Sequence, residues 1–108
     1  MGDIEVFKGR VSAGSITTPL GPIQSSDRSE GQSVQVLIRP EGIELVSASD
    51  GVTGKVRQRI VKTGFVDLLV ELQTGELITT RTDIGRKEKA GDVVHLRPNL
   101  DYVTVLVS

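Results

Sequence analysis

The sequence predicts an all-β domain, a small barrel or sandwich of about seven or eight short strands. Apolar and polar residues alternate along several short runs, as they do in strands with one buried face. No stretch keeps the helical period of about 3.6 residues over three turns, so we expect little or no helix. Glycines and prolines fall between the apolar runs, where turns belong. The length of 108 residues is typical of one domain.

The strand candidates follow one another closely along the chain. The first clear strand covers residues 4–9, and a weaker candidate covers residues 15–20. Residues 24–30, a polar stretch bracketed by Gly21-Pro22 and Gly31, are predicted to form a loop. The remaining strand candidates are residues 34–39, 55–60, 65–72, 77–81, 93–97 and 102–107. The separating segments are a turn at residues 49–51, a tight hairpin at 73–76, a charged loop at 86–92 and the pair Pro98-Asn99.

A five-stranded barrel of the OB type with extra strands fits this pattern and this chain length. We therefore expect residues 32–108 to form an OB-like barrel. Residues 1–31 hold one clear strand, one weaker strand and the polar loop. We expect this N-terminal extension to pack on the barrel or to exchange with a neighbouring chain.

Composition restricts the environment and the core. The formal net charge is −1, so no overall field favours nucleic acid or an anionic membrane. The aromatic residues are Phe7, Phe65 and Tyr102, so the core must consist mainly of Val, Ile and Leu. There are no cysteines, which excludes disulfides and thiolate metal sites. No apolar run approaches the roughly 18–20 residues that cross a bilayer, and we expect a cytoplasmic protein.

The sequence predicts no enzyme, cofactor or metal site. Its glycines do not group into the phosphate-binding patterns of P-loop or dinucleotide-binding proteins. His95 is the only histidine, and one imidazole without a further nitrogen or sulfur ligand makes a poor transition-metal site. It is also the only imidazole base for the serines, which cluster in loops.

Three basic residues, Lys55, Arg57 and Arg59, alternate along one strand candidate, which predicts that they share a face; Lys62 follows just beyond. A basic barrel face binds single-stranded nucleic acid when aromatic residues supply a stacking platform, and none adjoins this stripe. We therefore favour a solvated face or a protein contact. A small oxyanion site made of these bases and backbone amides stays open as an alternative.

The segment Arg39-Pro40-Glu41 separates two apolar runs within VLIRPEGIELV. Proline lacks an amide donor and drives the preceding residue towards extended geometry, so the triplet is expected to end a strand and open a turn. An exposed ion pair between Arg39 and Glu41 would contribute less than ~1 kcal/mol.

This segment resembles the "RPE" signature of the C-terminal TOBE-type domain that follows the ATPase domain in bacterial ABC importers. Three further segments resemble that family in the same order: MGDIEVFKGRV, GKVRQRIVKTGFVDLLVELQTGELITTR and KAGDVVHLRP. Their setting is most similar to the ferric-iron and polyamine importers, with iron favoured.

The resemblance implies a TOBE-type barrel over residues 32–108, without catalytic residues of its own. It implies an accessory, regulatory and dimerising role at the inner face of the membrane. The partners would be a second copy, the ATPase domain of the same polypeptide and, indirectly, a permease. The interface candidates are Arg39, Pro40 and Glu41.

Two alternatives from other classes remain. The first is a free-standing oxyanion-binding barrel, like the molybdate-storing modules of this fold; those usually carry a Ser-Ala-Arg-Asn-like start that this chain lacks. The second is a nucleic-acid-binding OB barrel, although no nucleic-acid partner is expected from the charge and aromatic content.

Overall fold

The computed structural model describes residues 4–25 and 28–107, and these form ten strands without an α-helix. The all-β prediction is confirmed. The strands are β1 Glu5–Ser12, β2 Ser15–Thr18, β3 Gly21–Gln24, β4 Ser33–Ile38, β5 Ile43–Val46, β6 Val52–Lys62, β7 Phe65–Leu72, β8 Leu77–Asp83, β9 Val93–Pro98 and β10 Val103–Val107. Two short 3₁₀ turns, Pro40–Gly42 and Leu100–Tyr102, precede β5 and β10.

The strands form two antiparallel sheets of five strands each. The first sheet has the order β10-β4-β1-β2-β3, and the second has the order β5-β9-β6-β7-β8. In the second sheet the edge strands β8 and β5 meet, because the Thr80 hydroxyl donates a hydrogen bond to the Ile43 carbonyl. That contact brings the two edges together as in the expected OB-like barrel.

The two halves of the chain repeat one topology and exchange their last strands. In each half, three strands form a meander, the fourth pairs with the first, and a 3₁₀ turn leads to a fifth strand. The fifth strand of the first half, β5, pairs with β9 of the second half. The fifth strand of the second half, β10, pairs with β4 of the first half. Each sheet is therefore completed by the other half.

Matching backbone contacts support this repeat. The amide of Gly31 donates to the Val11 carbonyl at 2.7 Å, and the amide of Gly91 donates to the Val56 carbonyl at 2.8 Å. Each of these valines follows a glycine and a basic residue, Gly9-Arg10 before Val11 and Gly54-Lys55 before Val56. Gly9 and Gly54 both lie where their strand passes close to core side chains. A Cβ atom on Gly9 would lie 2.8 Å from Ile16 Cγ2, and one on Gly54 would lie 2.5 Å from Val70 Cγ1.

The core is mainly aliphatic, as the composition predicts, and Phe7 is its one aromatic member among the described residues. One hydrophobic cluster takes side chains from both sheets, so the halves share a core. Two polar contacts add to it. Glu5 Oε2 accepts the Thr79 amide at 2.9 Å, and Arg28 Nη2 donates to the Val105 carbonyl at 2.8 Å. Both join residues far apart in sequence.

The N-terminal region holds more regular structure than the pattern predicts. The weaker strand candidate is β2, and Gly21-Pro22, expected to mark a loop, opens the further short strand β3. Proline is tolerated there because β3 is an edge strand. The division at residue 31 stays a prediction; residues 1–3, 26, 27 and 108 of the predicted segments lie outside the described residues.

Candidate functional site

The Arg39-Pro40-Glu41 segment forms the crossing point between the halves. Arg39 is extended, with φ −80° and ψ 152°, and Pro40 opens the first 3₁₀ turn, as expected. Pro40 is buried, whereas Arg39 and Glu41 are exposed. The ion pair considered for Arg39 and Glu41 does not form, since the ion pairs of the described residues include neither side chain. The triplet therefore directs β5 into the second sheet.

The predicted basic stripe does not lie on one face. A β-bulge at Arg57 shifts the register between Val56 and Gln58. Lys55 is therefore paired with Glu71 on the outer face, whereas Arg59 is paired with Leu68, whose side chain belongs to the core. One extra residue in a strand reverses the alternation of side chains beyond it. The sequence carries no sign of the bulge, so the expectation of a shared face was wrong for Arg59.

Three of the four bases already have partners within the domain. Arg57 Nε lies 3.2 Å from Glu71 Oε1, and Arg59 Nη2 donates to the Arg86 carbonyl at 3.1 Å. Lys62 Nζ lies 3.5 Å from Asp67 Oδ2. These contacts leave Lys55 as the one base of the four whose side chain has neither a hydrogen bond nor an ion pair among the described residues.

Lys62 belongs to a charged cluster around Asp67 on the outer face of the second sheet. Asp67 is 3% exposed, and Arg81 donates to both of its carboxylate oxygens, at 2.9 and 3.2 Å. These hydrogen bonds hold the pKa of Asp67 below its usual value; burial opposes this effect, and Lys62 adds to it.

Phe65 is paired across the hairpin with Lys62, just beyond the stripe. The Arg81 guanidinium covers that ring at 4.1 Å from its centroid. One face of the ring is therefore occupied, which does not favour base stacking there.

Two basic hollows lie at matching places in the two halves. The first hollow, of about 310 Å³, is lined by Lys8, Gly9, Arg10, Ser33 and Val34. The second hollow, of about 400 Å³, is lined by Thr53, Gly54, Lys55, Arg57, Glu71, Leu72, Gln73 and Val93. The lining of the first hollow contains no carboxylate, and the carboxylate in the second pairs with Arg57. Lys8 and Arg10 were not identified as site residues from the sequence. The available signal was a repeated motif of glycine, a basic residue and valine, at residues 9–11 and again at residues 54–56.

A further cavity lies between the halves. This inter-half cleft, of about 560 Å³, is lined by Leu20, Gly21, Pro22, Glu44, Asp50, Gly51, Val52, Arg97, Pro98, Asn99 and Leu100. The β2–β3 turn, the exchanged strand β5, the linker after β5 and the end of β9 all contribute. Sequence reasoning did not identify it, because the strand exchange brings these segments together.

His95 and the acidic residues do not assemble a metal site within the residues that the structure describes. The His95 ring faces the Thr53 hydroxyl, with Nδ1 and Oγ1 3.3 Å apart. The described residues also contain no helix that is long and apolar enough to cross a membrane.

The family is settled by a match between residues 36–106 and the sequence model of the TOBE domain, which covers more than half of the chain. The chain belongs to the TOBE domain family. TOBE domains are binding modules rather than enzymes. No curated protein sequence matches this TOBE domain.

A solved structure extends the likeness to nearly the whole TOBE domain. The fold is similar to that of the cytoplasmic molybdate-binding protein ModG in a crystal form with molybdate bound, with a TM-score of 0.67. The identity is 18%, over 96% of this chain and 96% of that chain. At this identity the likeness shows the fold.

Proposed function

We propose that this TOBE domain is the accessory regulatory and dimerising module of an ABC importer ATPase. The observation that carries the proposal is the family match over residues 36–106. The ordered resemblance of the flanking segments supports it, and favours importers of ferric iron. The proposed module acts at the inner face of the membrane, with the ATPase of the same polypeptide as its direct partner and a permease as its indirect one.

An apolar area on the outer face of the first sheet supports the dimerising role. Val6, Leu37 and Leu106 lie in neighbouring rows of β1, β4 and β10 on the face opposite the core. Val6 is 48% exposed and Leu106 is 45% exposed. Neighbouring exposed apolar side chains on a sheet favour a protein contact.

Light scattering after size-exclusion chromatography tests this interface. We expect a dimer, and we expect Val6→Lys to shift it towards the monomer because the substitution buries a charge in the contact. Val61→Lys is the matched control, since Val61 is 56% exposed but lies in the hairpin of the second sheet. A wild-type protein that stays monomeric at high concentration contradicts the dimerising role.

The coding sequence upstream of residue 1 tests the ATPase context. We expect the same reading frame to encode Walker motifs, in which backbone amides and a lysine hold the nucleotide phosphates. A frame without them contradicts the importer assignment and leaves the domain as a free-standing module.

The second candidate is an oxyanion-binding module, and the paired basic hollows favour it. Each hollow combines a Gly-base-Val segment with the start of the fourth strand of its half. ModG, which has this fold, was crystallised with molybdate. Oxyanions bind where cationic side chains and backbone amides converge.

Calorimetry with molybdate, tungstate, sulfate and phosphate tests this candidate. We expect Arg10→Gln and Lys55→Gln each to weaken binding, with Lys87→Gln, an exposed loop lysine, as the matched control. Absence of heat with all four anions rejects oxyanion binding and leaves the accessory role intact.

A further inference from the structure

We propose that the inter-half cleft binds a small organic cation, an amine carried on a short apolar body. The proposal goes beyond both functions above and depends on neither. The cleft's volume of about 560 Å³ lies within the range of ligand sites in proteins. Its position between two structural halves is also one that such sites favour.

The walls of the cleft are apolar and come from both halves. Leu20 and Pro98 are buried, Val52 is half-buried, and Pro22 and Leu100 offer exposed apolar surface at the mouth. These side chains lie in three separate parts of the chain: the β2–β3 turn with the start of β3, the start of β6, and the end of β9 with the 3₁₀ turn after it. Such a surface fits a short hydrocarbon body, because apolar area that leaves water on both partners favours binding.

The charged groups of the cleft have a negative balance. Glu44 and Asp50 supply two carboxylates, and Arg97 supplies the one cation among the described lining residues. The Asp50 carboxylate accepts a hydrogen bond from the Ser47 hydroxyl at 2.8 Å and pairs with no cation among the described residues. The site therefore matches a ligand with one positive charge.

Glu44 keeps capacity for a further donor. Its contacts with Arg97 Nη2 and Asn99 Nδ2 are 3.5 and 3.4 Å long, beyond the usual hydrogen-bond range. An ionised carboxylate accepts about four hydrogen bonds, and an ammonium group donates up to three. An ammonium group in the cleft would supply further donors to these carboxylates.

The same balance disfavours an oxyanion here. A dianion in the cleft would meet two carboxylates and one guanidinium that already faces Glu44. The basic hollows and the cleft thus suit ligands of opposite charge. Failure of one proposal leaves the other standing.

Three probes of matched size test the proposal by NMR titration of the complete chain: n-butylammonium, n-butanol and n-butyrate. We expect butylammonium to shift the amide resonances of Gly21, Gly51, Val52 and Leu100 in a saturable way. We expect butanol and butyrate to bind at least about fivefold more weakly than butylammonium, because neither carries the positive charge that pairs with the carboxylates. Equal binding of butanol or butyrate overturns the proposal, as do butylammonium shifts confined to other surfaces.

Carboxylate variants complete the test. Asp50→Asn and Glu44→Gln each keep the side-chain shape and remove one charge, and each is expected to weaken butylammonium binding about fivefold. Glu76→Gln is the matched control, since Glu76 is exposed in the β7–β8 turn, outside the cleft. Unchanged binding in both cleft variants, with their folded spectra intact, overturns the assignment.

Discussion

Gly42 and Tyr102 hold corresponding positions at the ends of the two 3₁₀ turns, and they contact each other where the halves meet. A Cβ atom on Gly42 would overlap Tyr102 Cβ and lie 2.9 Å from Tyr102 Cγ. The tyrosine of one half therefore requires the absence of a side chain in the other. Residues with a Cβ atom cannot occupy both positions in this geometry.

We expect Gly42→Ala to lower the free energy of unfolding by about 1–3 kcal/mol, the usual cost of inserting a methyl group into a filled space. Urea denaturation measures this loss. Gly85→Ala is the matched control, because a Cβ atom there meets no atom within 4 Å and Gly85 does not have a positive φ. A Gly42→Ala protein as stable as the control contradicts the contact.

Separated halves test the strand exchange. We expect fragments 1–50 and 51–108 each to lack a stable monomeric fold, because each has four strands of one sheet and the fifth strand of that sheet lies in the other fragment. Mixed in equal amounts, they should recover the β-sheet circular dichroism of the intact chain, with a midpoint that depends on concentration. A folded monomer from either fragment alone would contradict reciprocal exchange.

Asp67 is expected to make stability fall in acid. Since Arg81 lowers the pKa of Asp67 in the folded chain, the unfolded chain binds more protons near that pKa. The stabilisation is therefore present above about pH 4 and is lost as the pH falls further. Urea midpoints between pH 2 and 7 measure it.

The control for this acid sensitivity is Asp67→Asn, which we expect to be less stable at neutral pH by about 1–3 kcal/mol because Arg81 loses its charged partner. Its stability should then change less between pH 5 and 2. Some slope will remain, since Arg86 also lowers the pKa of Glu88. Equal acid slopes in both proteins would refute the role of Asp67.

The Glu5 side chain, on the first sheet, is expected to stabilise the edge strand β8 of the second sheet through its hydrogen bond with the Thr79 amide. Glu5→Ala should cost about 1–3 kcal/mol and speed hydrogen exchange at the Thr79 amide, because that half-buried donor loses its acceptor. Glu5→Gln should lose less, since its amide oxygen still accepts. Glu76→Ala, at an exposed position, serves as the control. Unchanged exchange at Thr79 in Glu5→Ala would count against the contact.

The alternation of apolar and polar residues in the sequence predicts most of the strands. The β7–β8 hairpin was predictable because a glycine, Gly75, lies in a short polar segment between two apolar runs. In the structure Gly75 takes the positive φ, 91°, that such a turn requires. The strand β3 was missed because Gly21-Pro22 is typical of a turn, and only its edge position accommodates the proline. The bulge at Arg57 left no local signal, so the face of Arg59 was mispredicted.

The structural repeat of the two halves is difficult to detect in the sequence, although the two halves share one topology. Arg-Pro occurs twice, at Arg39-Pro40 and Arg97-Pro98, yet these pairs are not equivalent in the structure. Pro40 corresponds to Leu100, because both begin the 3₁₀ turn of their half. The cleft depends on that long-range arrangement, so its residues could not be grouped from local patterns.

The exchange of β5 and β10 also has a consequence for synthesis. The first sheet lacks an edge strand until residues Val103–Val107 have left the ribosome, which adds about 5–20 residues per second. The second half of the domain, through β10, must therefore emerge before the first half can complete its sheet. Until then β4 has an open edge, and an open strand edge is a template for pairing with a neighbouring chain.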